Sequence, residues 1–237
     1  MNYLPEIAVI LLAAVTHATL QLGLGALLLL YHASLGKHIK PKTKGLVGSF
    51  IAGFGLLTLF LLGACCFTME ALVDSKIGAE WLMALVGILV ALAICVMTFY
   101  YRNGKTTELW LPKAVARHVS ERAKKTESNS EAFSLGMLAS FAELPISLAL
   151  LVVAANSILA LPESCYGLAI ACYAVIAVLP LVIMRLAIRR GKTVVDVQRW
   201  RIKNKTFLRI VSSASFLVLA MFLIAFKVLT ENGMIGK

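Results

Sequence analysis

The sequence predicts an all-α, polytopic membrane protein with six transmembrane helices, and three observations predict it. Of its 237 residues, 60% are hydrophobic and 15% charged, with a mean hydropathy of +0.87, whereas a soluble domain carries about 25% charged residues. The apolar residues are gathered into runs of membrane length rather than scattered. The cations, in turn, collect in alternate connections between those runs.

The runs cover residues 7–31, 46–67, 81–101, 133–161, 166–184 and 207–229. A bilayer core of about 30 Å needs about 20 residues of helix. Backbone in lipid must close its own hydrogen bonds, so each run is a helix. The first reads as a span rather than a signal peptide, because Glu6 stands where a basic residue would open such a leader. The second opens with Gly45, Gly48, Ser49, Ala52 and Gly53, small residues suited to close helix packing. The third is bounded by Trp81 and by Tyr100 and Tyr101, rings that favour the headgroup layer.

Between the third and fourth runs lies the longest polar stretch. Val115 and Val119, with the stems of Arg122 and Lys125, form one side of a short interfacial helix. Ser128-Asn129-Ser130-Glu131 reads as a capping box that starts the fourth helix. Thr193-Val194-Val195-Asp196 has the same form ahead of a second basic segment containing Val197 and Trp200. Pro145 and Pro180 predict kinks in the fourth and fifth helices.

Of the 23 Lys and Arg residues, all but Lys76, Lys227 and Lys237 lie in or beside the first, third and fifth connections. By the positive-inside rule those connections are cytoplasmic and both termini are outside, as expected in a bacterial cytoplasmic membrane. The net charge of +11 therefore reports topology and lipid attraction rather than a nucleic-acid partner. The chain divides into a first half at 1–101, a basic cytoplasmic loop at 102–131 and a second half at 132–237. Three helices per half give the halves opposite orientations, the arithmetic of a 3+3 inverted repeat. Residues 25–30 can be laid on 148–153 in support of it.

Glu143 is the one acidic residue deep in a predicted span. An ionised carboxylate there costs at least about 2.5 kcal/mol, so it should face the bundle interior. Pro145 follows two residues later and frees a carbonyl one turn back. On the first helix His17, Gln21 and Gly25 are spaced by four and share a side, flanked by Thr16 and Thr19. Gly136, Ser140, Glu143 and Ser147 form a comparable stripe on the fourth. Two such stripes suit a central pathway, with Asn156 towards its outer part; the competing reading is helix packing through small and hydroxyl residues. Ser212, Ser213 and Ser215 place a polar patch on the sixth helix. Cys65, Cys66, Cys95, Cys165 and Cys172 form no CxxC and no zinc-type cluster. They read as buried free thiols, with an outer disulfide from Cys165 to Cys65 or Cys66 as the alternative. No metal and no cofactor are expected.

Six helices split three plus three, with a basic central loop and a Gly-rich first helix, resemble the lysine-exporter (LysE) superfamily. That grouping includes, at a distance, the thiol-electron carriers related to CcdA and DsbD. In those carriers a reactive cysteine sits on the first helix of each half. The first and fourth runs here hold His17, Gln21 and Glu143 and no cysteine, a departure that argues against thiol-electron transfer. The expectation is a secondary transporter or exporter of a small molecule or ion, proton-coupled through Glu143, embedded in lipid and able to form a homo-oligomer. It is not expected to be an enzyme. The alternatives are a scaffold or assembly factor that acts through its basic loops, and a membrane-embedded enzyme or redox carrier.

Overall fold

The computed structural model of the chain describes residues 3–20, 30, 43–72, 79–99, 117–118, 121–123, 125–190 and 193–225. Among them run α1 (Leu4–Thr19), α2 (Thr43–Leu72), α3 (Ala79–Phe99), α4 (Asn129–Leu159), a 3-10 turn at Glu163–Cys165, α5 (Tyr166–Arg189), α6 (Val194–Lys203) and α7 (Lys205–Leu223). Among the described residues four stretches are long and apolar enough to cross a membrane: Gly45–Ala71, Asn129–Leu159, Glu163–Arg189 and Lys205–Leu223. Leu4–Thr19 and Met83–Thr98 are shorter apolar helices. Phe60, Phe67, Phe141, Leu168, Val175 and Met221 are all more than half exposed, as side chains turned towards lipid would be. The chain is an integral, all-helical membrane protein.

Both sequence-predicted capping boxes form. The Glu131 amide donates to Ser128 Oγ at 3.2 Å and the Ser128 amide donates back to Glu131 Oε2 at 3.3 Å. At α6, Asp196 N donates to Thr193 Oγ1 at 3.1 Å and Thr193 N to Asp196 Oδ2 at 2.9 Å. The fifth helix runs on to Arg189, five residues past the end of the apolar run. A helix stops where its hydrogen bonds stop, not where hydropathy falls, and long arginine stems can leave the apolar layer from within it. Pro145 and Pro180 both lie inside uninterrupted helices. Each withholds the amide that the carbonyl four residues earlier, Phe141 or Ile176, would otherwise accept.

The first span differs from expectation. A single helix over 7–31 is predicted, but α1 ends at Thr19 and Leu20 is extended, with φ −68° and ψ 130°. An apolar run measures how comfortable a segment is in lipid and says nothing of whether its backbone reverses or breaks. Gln21, Gly25, His32 and the cations at 37–42 lie outside the described residues, as do Val115, Val119, Lys76, Lys227 and Lys237.

The principal pairings join helices from different halves of the chain. α4 packs along α2 and also on α1, α3 packs on α7, and α1 packs on α5 and α7 while α2 packs on α5. The α2–α4 contact is backbone to backbone: a Cβ on Gly53 would collide with the Phe133 carbonyl, and one on Gly136 with the Phe50 carbonyl. Two apolar clusters result. One holds Val9, Ile10 and Ala13 of α1 with Leu62, Leu89, Ile146, Leu150, Tyr173 and Phe216. The other holds Val47, Phe50 and Phe54 with Ala123, Ala132, Leu135, Ala139, Leu181 and Met184. On α2 and α4 the clusters are separated by one interval, after Phe54 and Ala139 and before Leu62 and Ile146.

Candidate functional site

The buried positions in that interval are polar: Thr58 on α2 and Ser140 and Glu143 on α4. On α4 the buried positions Gly136, Ala139, Ser140, Glu143, Ser147 and Leu150 recur at three and four residues, so one side of the helix carries Glu143 inward. Glu143 is 2% exposed. His17, in the last turn of α1 and 3% exposed, faces it with Nε2 3.5 Å from Oε2. This is ion-pair distance without hydrogen-bond geometry, and Nε2 has no hydrogen-bond partner among the described residues. The other ring nitrogen, Nδ1, lies 3.1 Å from the hydroxyl of Tyr173 on α5. The two rings are tilted at 59°, with centroids 5.7 Å apart.

Tyr173 is fully buried. With its O–H donating to Nδ1, the imidazole carries its proton on Nε2, the nitrogen nearer the Glu143 carboxyl; with the other tautomer Nδ1–H donates to the phenol oxygen. A second proton on the ring turns the contact into an imidazolium–carboxylate pair. Phenol, imidazole and carboxyl thus form a row in which each neighbour can accept or supply a proton. A buried carboxylate and imidazole are costly to hold unless they meet each other or other polar groups.

The end of α1 adds backbone oxygens to this centre, and hydroxyls occupy them. Thr19 Oγ1 donates to the Thr16 carbonyl at 2.7 Å, Leu20 N to the His17 carbonyl at 2.9 Å, and Ser212 Oγ to the Thr19 carbonyl at 3.2 Å. Thr16 Oγ1 donates to the Leu12 carbonyl at 2.7 Å and reaches the Ser215 carbonyl at 3.4 Å. The Thr16, His17 and Thr19 carbonyls at the end of α1 thus accept bonds from α1 itself, from Leu20 and from α7. Ser213 Oγ donates to the Ala93 carbonyl at 2.9 Å, so the serine patch joins α7 to both α1 and α3.

The sequence-predicted residues fall into three groups. His17 and Glu143 meet at the centre, Thr16 is buried beside His17 in the chain but turns its hydroxyl to Leu12 and to Ser215 of α7, and Ser140 and Ser147 are buried one turn to either side of Glu143. Ser140 Oγ lies 3.1 Å from Thr58 Oγ1, which also donates to the Phe54 carbonyl at 2.9 Å. Asn156 is half-buried and stands thirteen residues along α4 from Glu143, about 20 Å at helical rise. Gln21 lies outside the described residues.

Tyr173 and Thr58 are the members that sequence reasoning missed. A signal for Tyr173 exists: Tyr173, Ala177, Leu181 and Met184 form the buried stripe of α5, and the tyrosine lies seven residues inside its helix rather than at an interface. All five cysteines are free thiols. Cys66 is buried in the same apolar cluster as Tyr173, with Cys65 packed against that cluster.

The sequence model of one protein family, described as the cytochrome C biogenesis protein transmembrane region, matches residues 25–224. A search of curated proteins returned no match, and neither did a search of solved structures.

Proposed function

We infer the function of this chain from the family to which it belongs, the cytochrome c biogenesis protein transmembrane family: it is a membrane carrier on the redox side of cytochrome c biogenesis. Membership favours a redox carrier over a general solute exporter. The observation that carries the reading is the buried row of Tyr173, His17 and Glu143, which runs from a tyrosine of one apolar cluster to a carboxyl between the two clusters. A carrier moving reducing equivalents must also handle protons, and this row is where a proton can be taken up and released. With no cysteine in α1 or α4, the electrons travel on a small thiol-bearing solute that passes the centre, while Glu143 and His17 exchange its proton.

The architecture fits alternating access. Several helix pairings are preserved when the halves are exchanged: α1 on α4 maps to itself, as do α2 on α5 and α3 on α7, and α2 on α4 maps onto α1 on α5, whereas α1 on α7 maps onto only a slight contact of α3 with α4. The self-mapping pairings support a 3+3 inverted repeat with the site at the repeat interface, and in this reading the chain crosses six times with its basic connections cytoplasmic by the positive-inside rule.

The test uses cells that lack the gene and are complemented with variants. Covalent haem staining of c-type cytochromes and the thiol state of exported proteins are read together. The wild-type chain restores both, and Glu143→Gln or His17→Gln lowers the rate of thiol reduction about 100-fold. Full activity of Glu143→Gln would discard the proton role. A second reading, a relay through the vicinal pair Cys65 and Cys66, is favoured by their position against the cluster that holds Tyr173. Loss of activity in Cys65→Ser/Cys66→Ser selects the relay, and retained activity selects the carried solute.

A further inference from the structure

The basic end of the bundle holds a feature that the buried centre does not use. A half-open cleft of about 620 Å³ lies between residues 117–126 and the first turns of α4, within the roughly 300–1,000 Å³ of small-molecule sites. One wall presents His118, Arg122 and Lys125. Their spacing of four and three places them on one side of a helical backbone, and 117–118 and 121–123 are helical. The facing wall is α4, where Ser130 and Ser134 precede Leu135 and Leu138. Along α4 into its apolar stretch, the lining therefore changes from cations and hydroxyls to leucines within about 12 Å.

Two further groups on the rim are already engaged. Glu131 Oε2 accepts the Glu127 amide at 2.8 Å and the Ser128 amide at 3.3 Å, and Thr126 Oγ1 donates to the Arg122 carbonyl at 2.8 Å. The cleft rests on packed core: Ala123 and Leu135, 0% and 3% exposed, belong to the cluster of Val47 and Phe50.

We propose that this cleft is a binding site for one anionic phospholipid. The phosphate lies against Arg122, Lys125 and His118, the glycerol and ester oxygens against Ser130 and Ser134, and the first methylenes of an acyl chain against Leu135 and Leu138. A soluble phosphate ester shares the headgroup chemistry but has no use for the two leucines, which decides for lipid. The site is independent of the carrier reading.

Native mass spectrometry of the full-length protein in detergent tests it, with phosphatidylglycerol, phosphatidylcholine and inorganic phosphate added separately. The wild-type protein retains one phosphatidylglycerol in preference to phosphatidylcholine. In Arg122→Gln/Lys125→Gln that preference falls about fivefold for each cation removed. Arg199→Gln/Lys203→Gln, on α6, keeps it, which separates a site from general attraction to positive charge. Equal retention of both lipids by the wild type, or an equal fall in both double variants, overturns the proposal. Displacement of the lipid by inorganic phosphate reassigns the cleft to soluble phosphate esters and also overturns it. An unchanged melting temperature in each variant secures the comparison.

Discussion

His17 and Glu143 can be removed singly or together, and the two experiments differ in their expected result. Taking away one partner leaves the other buried without its counterpart, at a cost of about 3–5 kcal/mol. Replacing both by apolar residues of similar size removes the demand altogether, so His17→Leu/Glu143→Leu should recover most of the stability lost by either change alone while remaining inactive. Thermal unfolding in detergent measures it; equal losses in the single and double variants would show that the two side chains are not coupled. Tyr173→Phe deletes the hydroxyl 3.1 Å from Nδ1 and should lower stability by about 1 kcal/mol. Its stronger effect should be on activity, because the imidazole loses the hydroxyl that holds its Nδ1. His17 and Glu143 were legible in the sequence because a titratable group inside an apolar run is costly wherever it points. Tyr173 was not, since an aromatic ring is at home in lipid, at an interface or in a core. Only the neighbour it meets distinguishes these.

At the scale of helices, the tightest constraint is the reciprocal glycine contact of α2 and α4. Gly53→Ala and Gly136→Ala each place a methyl group against a carbonyl of the other helix, where neither backbone can yield without parting the pair. Each should cost about 1–3 kcal/mol or more, read as a fall in melting temperature and in yield of folded protein. Gly63, with nothing within 4 Å of an added Cβ, should accept alanine with no such loss. The small-residue stripe of the second helix announced close packing, but not that Gly136, which reads as part of a polar stripe, is the matching half. Likewise, the apolar run over 7–31 located a helix without revealing its end at Thr19. The break is stabilised by hydroxyls at Thr19 and Ser212, and the second of these is 193 residues away. Hydropathy is a local quantity. Caps formed within four residues, at Ser128 and Thr193, could therefore be read from sequence, and those formed across the fold could not.

At the scale of the whole molecule, the principal helix contacts among the described residues run between the halves rather than within them. The described helices of each half therefore pack mainly on those of the other. Fragments 1–113 and 114–237 made together should copurify through a tag on either one, while each made alone should be degraded or aggregate; a stable, monodisperse first half would contradict the interlocked arrangement. The sequence supplied the apolar runs in which four long and two shorter apolar helices lie among the described residues, because lipid solubility selects for composition. Pairing depends on shape, above all on where glycines let backbones touch, and composition does not encode it.

The interlock also sets a schedule for biosynthesis. His17 and the tyrosine it meets are 156 residues apart, which at about 5–20 residues per second is a delay of roughly 10–30 s. For the first 126 of those residues, until Glu143 is made, the imidazole sits in the nascent chain with neither partner. A helper that shelters newly inserted helices, or a first segment that enters the bilayer late, is a requirement written into the order of the chain.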